Sequence, residues 1–348
     1  MSAESNLRIG VIGAGANTKL KHIPGFQAIE GVSVDVICNR SEESSRKAAE
    51  EFNVPRIASH WEEVIADPEI DAICIGTWPY LHAPITIAAL QAGKHVLTEA
   101  RMAMDAGQAR EMLEASASKP DLVAQIVPSP FTLFWDQTIK DMLQEGVLGE
   151  LREAVFNKTL PGNANSSTPL SWRQNIEYSG NNTIMLGIYY EVVQRWLRRD
   201  PKRVLASGNI FTANRMDPEK GREVEVKIPD TIHCLAEYDD GLRFLGYMSG
   251  VTHGANWDGY LINGSEGTLR LDLVERKLFH TRLGSAEEEI EVAAEKQADW
   301  RVEADFVESI RNGKPVTLTS FEDGLAYMKF TDAAIESYRS GGVWVDLG

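Results

Sequence analysis

The sequence predicts an α/β protein of two domains: a doubly wound domain with a parallel sheet over residues 1–127, and a second α/β domain with a largely antiparallel open sheet over residues 128–348. Three observations carry this expectation. The chain has 348 residues, more than one hydrophobic core usually organises at about 100–200 residues per domain. Up to residue 127, short apolar runs alternate with amphipathic stretches. After Pro128 and Pro130, strand-like runs follow one another, with helical stretches at both ends.

In the first domain LRIGVIG, VSVDVIC, DAICIG, KHVLTEA and DLVAQIV are apolar almost throughout, the pattern of strands buried on both faces. Ser41 caps the helix SEESSRKAAEEF, with Glu42 and Glu43 in the first turn where the helix dipole favours them. HAPITIAALQAG stops at Gly93, a natural helix terminator, and Asp105 followed by Gln108 opens the next helix as a capping box. A shorter element falls near 55–58. In the second domain helices over 132–145 and 183–198 precede the runs KRVLASGNIFTA, EVEVKI, TIHCLAEYDD, GLRFLGYMSG, WDGYLING and GTLRLDL. Asp240-Gly241 reads as a hairpin turn, because glycine accepts the positive φ a tight turn requires. Helices over 299–311 and 321–339 close the chain.

Composition narrows the function. A formal net charge of −16 argues against a nucleic-acid-binding surface and against an anionic membrane as partner. Cys38, Cys74 and Cys234 read as buried thiols of a reducing compartment, and no CxxC or HExxH spacing points to a metal. The polar lead MSAESN is followed directly by a strand, and no apolar stretch reaches the ~20 residues of a membrane span, so the expectation is a cytoplasmic protein.

The first strand runs into Gly13-Ala14-Gly15-Ala16-Asn17-Thr18 and then a helix, a dinucleotide fingerprint whose third glycine is replaced by Thr18. Gly13 permits the tight turn, and Gly15 lets the backbone approach a pyrophosphate at the helix N-terminus. The second strand ends at Cys38-Asn39-Arg40-Ser41, where an acidic residue would grip the adenosine ribose. No carboxylate stands there. Asn39 and Ser41 can hydrogen-bond, and Arg40 can meet a 2′-phosphate and stack on adenine, which predicts NADP in preference to NAD. The competing reading leaves Arg40 as a solvated residue at a helix start.

RIGVIGAG, DAICIGTWPYLHAPITIAALQAGKHVLTEARMAM and NGKPVTLTSFEDGLAYMKFTDAAIESYRSG together resemble the glucose–fructose oxidoreductase / inositol dehydrogenase (Gfo/Idh/MocA) family. The resemblance implies an N-terminal Rossmann domain and a C-terminal α/β domain whose open sheet carries substrate on one face and often a subunit interface on the other. It also implies Thr77, Trp78 and His82 beside the nicotinamide side of the cofactor, and Glu99 near the nicotinamide ribose. Three departures accompany it. The family's usual Glu-Lys-Pro is Glu99-Ala100-Arg101, so its lysine is absent. The usual aspartate and histidine of Asp-x-Gly-x-His are Met185 and Tyr189.

Hydride transfer to a carbonyl needs an acid near the oxygen. A phenol with an ordinary pKa of about 10 is protonated at neutral pH, so Tyr189 can donate to a forming alkoxide. As a base it would need a cation nearby, for which Arg101 is a candidate. The expectation is therefore Tyr189 as catalytic proton donor with Arg101 as helper, against the alternative of Tyr189 as a packing aromatic. Arg173, Asn182 and His233 are candidate substrate contacts, the sugar-like ligand being inferred from the family. The resulting expectation is an NAD(P)-dependent oxidoreductase, NADP(H) preferred, that acts on a sugar-like or carbonyl small molecule as a homo-oligomer (dimer or tetramer). Two alternatives stand beside it: a dinucleotide-binding sensor without turnover, and a cofactor-retaining enzyme that oxidises a sugar only transiently.

Overall fold

A computed structural model describes residues 6–254 and 256–347; residues 1–5 of the polar lead lie outside the described residues. The chain divides into two compact units, Met1–Pro128 with Arg301–Leu325, and Ser129–Trp300 with Ala326–Gly348.

The first unit is a six-stranded sheet of β1 (Leu7–Ile12), β2 (Val32–Cys38), β3 (Arg56–Ile57), β4 (Ala72–Ile75), β5 (His95–Thr98) and β6 (Ala124–Ile126). All its pairs are parallel, in the order β3-β2-β1-β4-β5-β6. Every residue of β4 is buried, as strands covered by helices on both faces require. The expected helix starts are present: Ser41 Oγ accepts from the Ser44 amide at 3.3 Å, and Asp105 Oδ1 from the Gln108 amide at 2.9 Å. The unit boundary differs from a division at residue 127. Arg301–Leu325 joins the first unit because Phe306, on helix Val302–Asn312, packs edge-on against Phe26 at 6.3 Å. In addition, the Ile126 amide donates to the Thr319 carbonyl at 3.1 Å.

The second unit adds β7 (Leu151–Thr159), β8 (Arg203–Asn209), β9 (Asn214–Asp217), β10 (Arg222–Glu225), β11 (Thr231–Glu237), β12 (Arg243–Ser249), β13 (Asp258–Gly264), β14 (Gly267–Asp272), β15 (Lys277–Arg282), β16 (Glu287–Ile290) and β17 (Val345–Asp346). Nine of these form a sheet ordered β16-β15-β14-β13-β7-β12-β11-β8-β17, antiparallel except for β7 beside β12. The run EVEVKI does not enter this sheet. Its strand β10 pairs only with β9 in a separate two-stranded ribbon.

The sheet's two faces differ. Helix Leu186–Leu197 and the later part of helix Phe321–Arg339 cover the face that carries Phe156 and Phe244. There Tyr190 stacks on Phe330 at 3.7 Å and meets Phe244 edge-on at 5.6 Å. Residues one position out of phase point to the other face, where Leu235 and Leu245 are 45% and 41% exposed and His233 stacks on Tyr247 at 5.0 Å. No helix of the described residues is long and apolar enough to cross a membrane.

Candidate active site

In the first unit the strand ends that follow β1, β2 and β4 enclose a cleft of about 440 Å³. Its floor is built by backbone proximity. Gly13 has φ +90°, and a Cβ there would fall 2.6 Å from the Thr77 amide nitrogen. A Cβ on Gly76 would fall 2.0 Å from Thr18 Oγ1 and 2.2 Å from the Gly13 carbonyl oxygen. Gly76, which sequence reasoning passed over, thus does for this turn what the fingerprint assigns to a third glycine: it lets chain pack on chain. Thr18 is buried against it. Gly15 and Ala16 are exposed beside the cleft, where the helix opens. The shape suits a pyrophosphate, because small residues leave backbone facing the space at a helix start.

Asn39, Arg40 and Ser41 have different tasks. Asn39 Oδ1 accepts from the Ala14 amide at 2.6 Å and its Nδ2 donates to the Ser44 carbonyl at 3.0 Å, so this side chain fixes the glycine loop and has little left for a ligand. Ser41 Oγ is engaged in capping. Asn39 still lines the cleft, whereas Ser41 is not among the residues that enclose it. Arg40 is exposed at the cleft, its guanidinium carbon 5.4 Å from the centre of the Trp78 ring. Thr77 lines the same cleft, and its buried Oγ1 has no hydrogen-bond partner among the described residues. His82 is a clasp and not a cofactor contact: fully buried, it lies 2.8 Å from the Arg101 carbonyl through Nδ1 and 2.9 Å from the Thr77 carbonyl through Nε2. Burial lowers its pKa despite those contacts.

A second cluster, unforeseen from sequence, lies where the first helix begins. Asn17 Nδ2 donates to Glu99 Oε1 at 2.5 Å, and His22 Nε2 lies 3.0 Å from the same oxygen. His22 Nδ1 lies 2.5 Å from Glu303 Oε1. The helix passes through a π-helical turn, Thr18–His22, in which both end residues are buried. Burial alone would lower the His22 pKa, but the bonds with Glu303 and Glu99 outweigh it and raise it to about 9. Burial likewise works to raise the Glu99 pKa, and His22 with Asn17 reverses it, so the carboxylate is held below its ordinary range.

In the second unit Tyr189 is fully buried, its ring 5.1 Å from Phe131, 5.6 Å from Phe156 and stacked on Tyr260 at 5.7 Å. Its hydroxyl donates to Asp258 Oδ1 at 2.8 Å. Burial and the adjacent carboxylate push the phenol's pKa far above its ordinary value. This corrects the expectation of Tyr189 as the group that meets substrate, because its proton is committed and its surface covered. The other Asp258 oxygen holds the Lys158 ammonium, from the residue directly opposite on β7. Lys158 and Asp258 side chains keep 19% and 16% of their surface exposed, so they, and not the phenol, face outward.

The remaining candidates disperse. Arg101, 2% exposed, is buried in the first unit and presents no guanidinium surface. Asn182 is fully buried and donates to the Ser179 carbonyl at 2.7 Å, a loop-fixing role. Arg173 is exposed against its neighbour Trp172, 4.2 Å from the ring. His233 lies on the open face of the sheet, opposite the face that holds Tyr189, so strand alternation separates the two.

Residues 7–126 match the oxidoreductase-family NAD-binding Rossmann-fold domain of GFO/IDH/MocA proteins, and residues 137–270 match the GFO/IDH/MocA C-terminal domain. The chain belongs to the GFO/IDH/MocA family. As a member it is an oxidoreductase with a nicotinamide-dinucleotide-binding fold. Among its relatives are an uncharacterized oxidoreductase of Synechocystis sp., 25% identical over 84% of this chain and 80% of the relative, and the levoglucosan dehydrogenase of Pseudarthrobacter phenanthrenivorans, 24% identical over 98% of each. A solved levoglucosan dehydrogenase in complex with NADH and L-sorbose shares the fold of this GFO/IDH/MocA chain, with a TM-score of 0.87, 22% identity and 99% of each chain covered.

Proposed function

We propose that the protein is an NADP(H)-preferring oxidoreductase that transfers hydride to or from a carbon of a polyhydroxylated, sugar-like molecule. The observation that carries the cofactor choice is Arg40 at the mouth of the glycine cleft, its guanidinium over the Trp78 ring, with no carboxylate at the end of β2. Gly13 and Gly76 let the turn pack tightly, Gly15 leaves backbone open to the pyrophosphate, and Arg40 meets the 2′-phosphate. A bound nicotinamide supplies or accepts the hydride. In the second unit, taken by itself, the Lys158–Asp258 pair is the outward-facing polar group. Asp258 orients Lys158, and Tyr189 fixes Asp258 from behind. Hydroxyl groups of a sugar suit this charged pair, and the levoglucosan dehydrogenase relative acts on a sugar derivative by its name. The apolar open face with Leu235 and Leu245 supports a homo-oligomer, and three buried free cysteines support a reducing, cytoplasmic location.

Calorimetric titration with NADPH and NADH tests the cofactor reading. NADPH is expected to bind at least about tenfold more tightly, and Arg40→Ala to erase the difference. Equal affinities in the wild type, or an unchanged preference in Arg40→Ala, would overturn it.

A further inference from the structure

Ligands of an open parallel sheet lie along the carboxyl ends of its strands. With Arg40 after β2 taking the adenosine end and the glycine loop after β1 the pyrophosphate, the rest of the dinucleotide continues over the ends of β4 and β5. At the end of β5 stands Glu99, tied to Asn17 and to His22.

The geometry around His22 is specific about its charge. Each ring nitrogen faces a carboxylate oxygen, Nε2 towards Glu99 and Nδ1 towards Glu303, and the ring is fully buried. Both contacts are hydrogen bonds only when both nitrogens donate, as in the imidazolium, and here, unlike at His82 with its two uncharged carbonyls, two carboxylates hold that proton against burial. The chain makes room for this arrangement. A Cβ on Gly25 would fall 2.7 Å from Glu303 Oε2, so glycine is needed where helix Val302–Asn312 delivers that carboxylate. The other titratable groups near the cluster include Cys74 on β4, His82, and Asp305, whose carboxyl pKa burial raises with Glu303 adding to it. Burial, with Glu99 and Glu303 adding to it, keeps the Cys74 thiol neutral, and burial keeps His82 neutral. His22 and the two carboxylates it touches thus carry one positive and two negative charges.

We propose that His22 is a positioning residue for the dinucleotide: as an imidazolium it clamps Glu99 and Asn17 against Glu303, and when it loses its proton it frees them and leaves the nicotinamide end one charge more negative. The proposal rests on the dinucleotide reading of the cleft. Since the bonds to both carboxylates raise the His22 pKa to about 9 against the effect of burial, the clamp is whole at neutrality and opens as pH rises through that value.

The test titrates NADPH and NADP⁺ separately by calorimetry from pH 7.5 to 10, with folding checked by circular dichroism. Wild-type affinity for NADPH is expected to fall about tenfold across that range. Affinity for NADP⁺ should fall clearly less, because the added negative charge favours the cationic nicotinamide ring. Glu303→Gln removes one of the two charges holding the proton, and should move the transition down by about one pH unit or more. His22→Gln should bind NADPH at pH 7.5 about as weakly as the wild type does at pH 10, without further pH dependence. Should His22→Gln not fold, the displacement of the transition in Glu303→Gln decides. Tight binding that is pH-independent in the wild type, or an unmoved transition in Glu303→Gln, overturns the clamp alone. Failure of both dinucleotides to bind at any pH overturns the dinucleotide reading, and the clamp with it.

Discussion

Replacing His22 by glutamine should destabilise the protein in a pH-dependent way whose size follows from the buried cluster. The imidazole has an ordinary pKa of about 6.5 in the unfolded chain, and about 9 in the fold, where hydrogen bonds to Glu303 and Glu99 overcome burial. A group whose folded pKa is raised stabilises fully below the unfolded value, and loses that contribution as pH climbs through the folded one. The full contribution is about 3 kcal/mol at about 1.4 kcal/mol per unit, and at pH 7 about 2–3 kcal/mol of it remains. By pH 10 the wild type also holds an uncharged group between two carboxylates, so almost nothing is left to lose. Urea unfolding of wild type and His22→Gln at pH 6, 7, 9 and 10 measures the difference, and groups that titrate alike in both cancel in the subtraction. A deficit as large at pH 10 as at pH 7 would refute the reasoning. So would a deficit at pH 7 below about 0.5 kcal/mol, since the buried ring would then be neutral already.

Two other substitutions probe the floor of the cleft and the cluster of the second unit. Gly76→Ala places a Cβ 2.0 Å from Thr18 Oγ1 and 2.2 Å from the Gly13 carbonyl oxygen, so it should abolish NADPH binding and destabilise by about 1–3 kcal/mol; normal calorimetric binding would show that the turn yields. Tyr189→Phe keeps the ring packed against Phe131, Phe156 and Tyr260 but removes the donor to Asp258. It should cost about 1–2 kcal/mol in urea unfolding with NADPH affinity unchanged, and a cost near zero would mean that water replaces the bond freely.

The first sheet was legible strand by strand because burial on both faces forces continuous apolar runs, and because capping residues such as Ser41 and Asp105 act on amides three positions away. The second unit was less so at its edges. Lys277–Arg282 and Glu287–Ile290 form strands rich in charged residues, with Lys277 paired to Glu289 and Glu287 reaching Arg270 of β14, and such a surface reads in sequence as solvated loop. EVEVKI alternates as a sheet strand should, yet periodicity does not name a partner strand. The glycine loop was readable from local spacing. Its counterpart Gly76 was not, because the need for glycine arises from an approach between strands and not from a turn. The His22–Glu303 contact joins residues 281 positions apart, and the π-helical turn that directs His22 inward breaks the usual helical period. Tyr189 was placed on the right helix, but its role depends on Asp258, which sequence spacing does not bring to it.

The contribution of Arg301–Leu325 to the first unit has a consequence for the order in which the protein is made. A ribosome extends the chain at about 5–20 residues per second, so roughly 10–35 seconds separate the emergence of Pro128 from that of Glu303. Through that interval the glycine loop and all six strands of the first sheet are present, while His22 lacks the carboxylate at Nδ1 and Phe26 lacks Phe306. Early in synthesis the nascent dinucleotide-binding unit is a six-stranded sheet whose first helix lacks its covering of Phe306, an exposed apolar surface of the kind that chaperones hold. The last seventh or so of the polypeptide thus completes what the first third began, and a truncation shortly before residue 301 would damage the amino-terminal unit more than its distance in sequence suggests.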